Sequence, residues 1–87
     1  MSEVTVTLKI KLRKRDIEVL KFVAETEAGL RKLEGISIYD DVIEKFGETG
    51  VMSLNSLEYW HLVSYSEGSR FNYKVTDLGR EVLQQCT

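Results

Sequence analysis

Proline is absent from these 87 residues, and cysteine, histidine and tryptophan occur once each. A single cysteine excludes an internal disulfide. Cys86 sits beside the C-terminus, where frayed chain is the default; it reads as an inert thiol or, in an oxidising setting, as a bridge between subunits. One histidine without a second histidine or a cysteine nearby cannot build a zinc site, and His61 has no nucleophile to serve. Neither a P-loop nor a dinucleotide fingerprint occurs. The expectation is therefore a protein that is not an enzyme and needs no cofactor or metal. No apolar run approaches the roughly 20 residues of a membrane-spanning helix. The N-terminus, MSEVTVTLKIKLRKR, carries an acid, Glu3, near its start, alternates polar with apolar and has its basic residues on the wrong side for a signal peptide. An intracellular, cytoplasmic protein without membrane contact follows as an expectation. Linkers, repeats and low-complexity stretches are missing too, so residues 1–87 read as one domain.

What is present is ordinary in amount and uneven in place. The formal net charge is −2. Residues 1–32 hold eight Lys or Arg against five acids (+3), residues 33–69 one against seven (−6), and residues 70–87 three against two (+1). A nucleic-acid surface needs local positive potential rather than a positive total, and both ends of the chain supply some.

Period-two alternation marks residues 4–11 as a half-buried strand: Val4, Val6, Leu8, Ile10 and then Leu12 on one face, Thr5, Thr7, Lys9 and Lys11 on the other. Helical spacing of Ile17, Leu20, Val23 and Ala24 predicts a first helix over about 14–26, with Gly29 as terminator. Ile36-Ser37-Ile38 reads as a short bridging strand, and Ser37 with Asp40 as a capping box. A second helix is expected over 39–46, with Val42, Ile43 and Phe46 inward and Gly47 ending it. A third is expected over 50–60, with Val51, Leu54 and Leu57 inward and Thr49 or Ser53 as N-cap. Val63 and Tyr65, then Phe71, Tyr73 and Val75, alternate as a hairpin turning through Glu67-Gly68-Ser69. Thr76 is the expected N-cap of a last helix over 77–85, with Leu78, Val82 and Leu83 inward. Trp60 and His61, where the third helix meets the hairpin, read as packing residues.

Three phrases in this order, LRKRDIEVL from Leu12, LEYWHLV from Leu57 and VTDLGREVL from Val75, resemble the winged helix-turn-helix DNA-binding proteins of bacteria and archaea. The nearest flavour is the small MarR-like and PadR-like regulators, including compact archaeal and archaeal-virus versions. The likeness covers residues 12–85. It implies an α+β fold with a three-helix core, a β-hairpin wing and a C-terminal helix, to which the strand at 4–11 is an addition. Two other departures stand out: His61 occupies a place where the family often has glycine, and residues 46–61 hold no Lys or Arg.

The resemblance also implies a function: sequence-specific binding of double-stranded DNA by a transcriptional regulator. The third helix would enter the major groove and the wing would reach the backbone or minor groove. Carried over by position, Met52, Ser53, Asn55, Ser56 and Tyr59 would face the DNA, with Asn55 suited to adenine and Met52 to a thymine methyl. Arg70, Asn72 and Lys74 would serve on the wing. The basic run Lys9, Lys11, Arg13, Lys14 and Arg15 reads either as a phosphate clamp, chiefly through Arg13, Lys14 and Arg15, or as a solvated strand face leading into a helix. Asp40, Asp41 and Glu44 on the second helix work against a tight fit. The apolar face of 4–11 predicts a homodimer with that strand in the pairing or in a sheet that supports it, or else a strand added to the hairpin within one chain. No small-molecule ligand is expected. A different class of function also fits the residues: a winged-helix module that docks on protein, favoured by the acidic middle and the uncharged third helix.

Overall fold

The computed structural model describes residues 12–68 and 70–86. The strand expected at 4–11, Lys9 and Lys11 with it, Ser69 of the hairpin turn and the side chain of Cys86 lie outside the described residues. Those described form an α+β fold of four helices and one antiparallel hairpin: α1 (Lys14–Glu27), α2 (Ile38–Phe46), α3 (Glu48–Tyr59), β1 (Val63–Tyr65), β2 (Tyr73–Val75) and α4 (Asp77–Cys86). None of these helices is long and apolar enough to cross a membrane.

At the start of α1, the backbone N–H of Arg13 donates to Asp16 Oδ2 at 3.0 Å, so the aspartate closes the first turn from inside the helix. Gly29, at φ +79°, ends it. There Gly29 N–H donates to the Thr26 carbonyl (3.1 Å) and Leu30 N–H to that of Glu25 (2.8 Å), the paired closure of a Schellman motif. Ser37 caps α2 as expected: Asp40 N–H donates to its Oγ at 3.3 Å and the hydroxyl donates on to Asp40 Oδ2 at 3.0 Å. The helix starts at Ile38, which is fully buried. In place of the expected bridging strand, a backbone bond from Ile38 N–H to the Arg70 carbonyl (2.9 Å) ties this segment to the hairpin. Val42 follows Ile38 into the core one turn later, which turns Ile43 outward to 39% exposure, contrary to the pattern reading.

α2 and α3 share one joint, Gly47, at φ +75°. The helix therefore begins at Glu48, before either Thr49 or Ser53 could cap it; the Thr49 hydroxyl donates backwards to the Phe46 carbonyl at 2.9 Å instead. Gly50 explains how closely the two helices approach. A Cβ there would lie 2.6 Å from Phe46 Cβ and 2.9 Å from Val42 Cγ1.

At the far end of α3, His61 adopts φ +61°, the one non-glycine residue with positive φ among those described. It donates to the Glu58 carbonyl (3.0 Å) while Leu62 N–H donates to Leu57 (2.8 Å), the same closure that ends α1. Its side chain is exposed, so its structural work is done by its backbone rather than by packing. Trp60 is half-buried against the core, with the Tyr59 ring edge-on to it at 5.3 Å.

The hairpin pairs Val63 with Val75, Ser64 with Lys74 and Tyr65 with Tyr73. Alternation puts Val63, Tyr73 and Val75 inside. Tyr73 lies between Tyr39 of α2 (6.3 Å, stacked) and Tyr65 (5.1 Å). Thr76 caps α4 through Gly79 N–H (3.0 Å), and its hydroxyl donates to the His61 carbonyl (2.7 Å). Gly79 lies where a Cβ would stand only 2.2 Å from the Leu62 carbonyl oxygen. The core under all of this is aliphatic: Val19, Leu20 and Val23 from α1, Ile38 and Val42 from α2, Leu54 and Leu57 from α3, with Leu62, Val63, Val75 and Val82 closing it. Of the expected inward residues, Leu20, Val23, Val42, Leu54, Leu57 and Val82 are buried, Ala24, Phe46, Leu78 and Leu83 pack half-buried against them, and Ile17 and Val51 are half-buried; Val19 and Ile38 are additions.

Candidate nucleic-acid interface

Helix α3 is anchored along one side and open along the other. Gly50, Ser53, Leu54 and Leu57 are buried. Opposite them, Glu48, Met52, Asn55 and Tyr59 recur at helical spacing on one exposed stripe. Met52 is 56% and Tyr59 75% exposed. Ser56 is half-buried on the flank. Of the five α3 residues expected to face a ligand, four are therefore available to one.

Ser53 is the exception. It is 0% exposed and points toward α1. Its hydroxyl donates to Asp16 Oδ1 at 2.6 Å and accepts from Arg15 Nε at 2.9 Å. A polar residue on a buried face costs stability unless it is hydrogen-bonded, and Asp16 and Arg15 supply that bonding across 37 and 38 residues of sequence. Ser53 cannot touch a base from this position.

The exposed surface of α3 is also less neutral than the pattern implied. Glu48 and Glu58 are both exposed on α3, and no cation on the helix offsets them. Glu58 is close enough to Tyr73 to act on it electrostatically. Burial first, then the Glu58 charge and the neighbouring Tyr65 and Tyr39, hold the Tyr73 hydroxyl above its ordinary value of 10.0.

Beside α3, the hairpin exposes Lys74. Arg70, also exposed, donates from Nη2 to the Gly35 carbonyl at 3.1 Å, while its own carbonyl accepts from Ile38. The residue thus braces the hairpin against the entry to α2 and still presents its charge to solvent. Asn72 is half-buried, with Oδ1 lacking a hydrogen-bond partner among the described residues, so it sits deeper than the alternation suggested. At the start of α1, Arg13 and Lys14 are exposed and Arg15 is half-buried. On α2, Glu44 is exposed and Asp40 half-buried. Asp41 is buried and takes the backbone N–H groups of Glu34 and Gly35, so its work is to fix the preceding loop.

Sequence reasoning missed three participants: Asp16, Glu48 and Glu58. An aspartate three residues into a helix after a basic N-cap was the available signal for the first. Among the described residues, no group of three or more His, Cys, Asp or Glu is placed to hold a metal ion. No protein-family model, curated protein or solved structure matches the chain.

Proposed function

We propose that this chain is a winged helix-turn-helix protein that binds specific sequences of double-stranded DNA and regulates transcription by occupancy, without chemistry. One observation carries the reading. The exposed stripe of Met52, Asn55 and Tyr59 lies on a helix pinned to the core along its other side, beside a hairpin presenting Arg70 and Lys74. A helix of about 10–12 Å diameter fits a major groove about 12 Å wide. In this reading α3 enters the groove, Asn55 reads a base edge, and Met52 and Tyr59 make apolar contact. Arg70, Lys74, Arg13 and Lys14 take phosphates. Ser53 has no direct part. The acids on α3 make cations outside the helix responsible for affinity, and two copies paired across a two-fold axis would engage half-sites about 34 Å apart.

The test is a salt titration of binding to a random-sequence duplex. Each phosphate neutralised adds about −0.9 to the slope of log affinity against log salt. Arg70→Ala weakens binding to all sequences alike, whereas Asn55→Ala changes the preference between them. Absence of binding at low salt defeats the reading.

Glu48 and Glu58 bordering exposed Met52 and Tyr59 favour a second reading. There the same stripe docks on a protein partner with a basic, apolar surface, and binding to duplex is not salt-dependent because it does not occur.

A further inference from the structure

A half-buried arginine usually meets a carboxylate, because a charge taken from water needs a partner. Arg15 does not. Among the described residues its guanidinium makes one hydrogen bond, from Nε to Ser53 Oγ (2.9 Å), and no ion pair. The nearest acid in sequence, Asp16, spends both oxygens elsewhere: Oδ1 on the Ser53 hydroxyl (2.6 Å) and Oδ2 on the Arg13 backbone N–H (3.0 Å). Ser53 is fully buried and Asp16 only 5% exposed, so the end of this chain of bonds that carries the guanidinium is tied to the rigid part of the molecule. Among the described residues, neither Nη group has a partner.

Position gives that arrangement its meaning. Arg15 meets α3 on the flank of Ser53 and Ser56. Glu58, two residues past Ser56, points to the opposite flank, toward Tyr73 and the hairpin. Among the described residues, the structure therefore holds a tethered guanidinium in no direct ion pair, with the Asp16 carboxylate across the Ser53 hydroxyl from it, against the side of a helix that has no cation of its own. The two free Nη groups of an anchored guanidinium suit the paired oxygens of a phosphate diester.

We propose that Arg15 is a preset phosphate clamp flanking α3, and that Ser53 and Asp16 are the positioning residues that set it. The proposal rests on the DNA-binding reading and deepens it. Ser53 contributes through Arg15, not through a base. Ordering a long side chain on binding costs entropy, and a guanidinium held at Nε has less of it to lose. Lys14, on the same turn, is exposed and among the described residues lacks such a tether.

The experiment measures affinity of the full chain for a random-sequence duplex by fluorescence anisotropy between about 50 and 200 mM salt. Arg15→Gln is expected to cost roughly tenfold at low salt and to reduce the salt slope by about 0.9. Arg15→Lys keeps the charge but not the planar tether; it is expected to keep the slope and lose affinity, as is Ser53→Ala. The double variant Arg15→Gln, Ser53→Ala should bind no worse than Arg15→Gln alone. Ser53→Ala deprives buried Asp16 of a donor and is checked by thermal melting; Arg15→Lys leaves that bond intact and decides the matter if the serine variant does not fold. In the free protein, the Arg15 Hε resonance should be protected from exchange in the wild type.

Independent, multiplying losses from Arg15→Gln and Ser53→Ala overturn the clamp, as does an unprotected Hε. A chain that binds duplex with Arg15→Gln unchanged overturns the clamp alone. A wild-type chain that binds no duplex removes the clamp together with the reading beneath it.

Discussion

Helices α1 and α3 finish with the same pair of backbone hydrogen bonds around a residue of positive φ, yet α1 uses Gly29 (φ +79°) and α3 uses His61 (φ +61°). The difference lies in what surrounds each end. Past Gly29 the chain runs into a surface loop where Leu30 is 76% exposed, and a Cβ on the glycine would meet nothing within 4 Å. Only residue type fixes that turn, and glycine adopts it without the steric cost an L side chain incurs. Past His61, Leu62 drops into the core, the His61 carbonyl accepts from Thr76, and Gly79 brings α4 against the Leu62 carbonyl. Tertiary packing holds this second end, and it overrides a preference that costs a non-glycine residue roughly 1–2 kcal/mol. The joint between the proposed recognition helix and the hairpin is thus set by distant parts of the chain, and the end of α1 by its own sequence.

Substitutions that break the packed end should have the largest effect. Gly79→Ala forces a methyl onto the Leu62 backbone and is expected to lose about 3 kcal/mol in denaturant unfolding; wild-type stability would mean that α4 does not approach as closely as described. Thr76→Ala removes both the α4 cap and the bond to His61, for a loss of about 2 kcal/mol by the same measurement. The two ends should then respond with opposite signs to exchange of their special residue. Gly29→Ala is expected to cost about 1 kcal/mol, and His61→Gly to gain about 0.5–1 kcal/mol. A destabilising His61→Gly would place the imidazole, rather than the backbone, in the structural role. The smallest effect concerns the buried tyrosine beside this joint. Because the Tyr73 hydroxyl ionises above its ordinary value in the folded chain, its contribution is fully present below pH 10 and is lost as pH rises through the folded value. Tyr73→Phe should flatten the alkaline fall in stability, read as melting temperature between about pH 9 and 12.

The same division separates what the sequence disclosed from what it hid. Features written in neighbouring residues were legible: the Ser37 and Thr76 caps, the Gly29 terminator, the alternation that buries Tyr73 and Val75, and the spacing that buries Leu54 and Leu57. Features that depend on a partner far along the chain were not. Ser53 looks like any polar residue of a short helix until Asp16 and Arg15 arrive beside it. His61 looks like a misplaced residue until Thr76 reaches its carbonyl. The start of α3 was hidden for a related reason: Gly47 serves as both the end of one helix and the cap of the next, and a single residue gives the eye no loop to find. On the candidate site, the sequence identified the exposed stripe but neither Glu48 on it nor Glu58 on its flank, because charge on a helix is assigned to solvent by default.

The only tryptophan of the chain, Trp60, stands at the foot of α3 with one side in the core and the exposed Tyr59 ring against it. Its intrinsic emission is consequently a label the protein already carries: whatever settles on that helix, nucleic acid or protein, should announce itself as a change in colour or intensity with no dye attached.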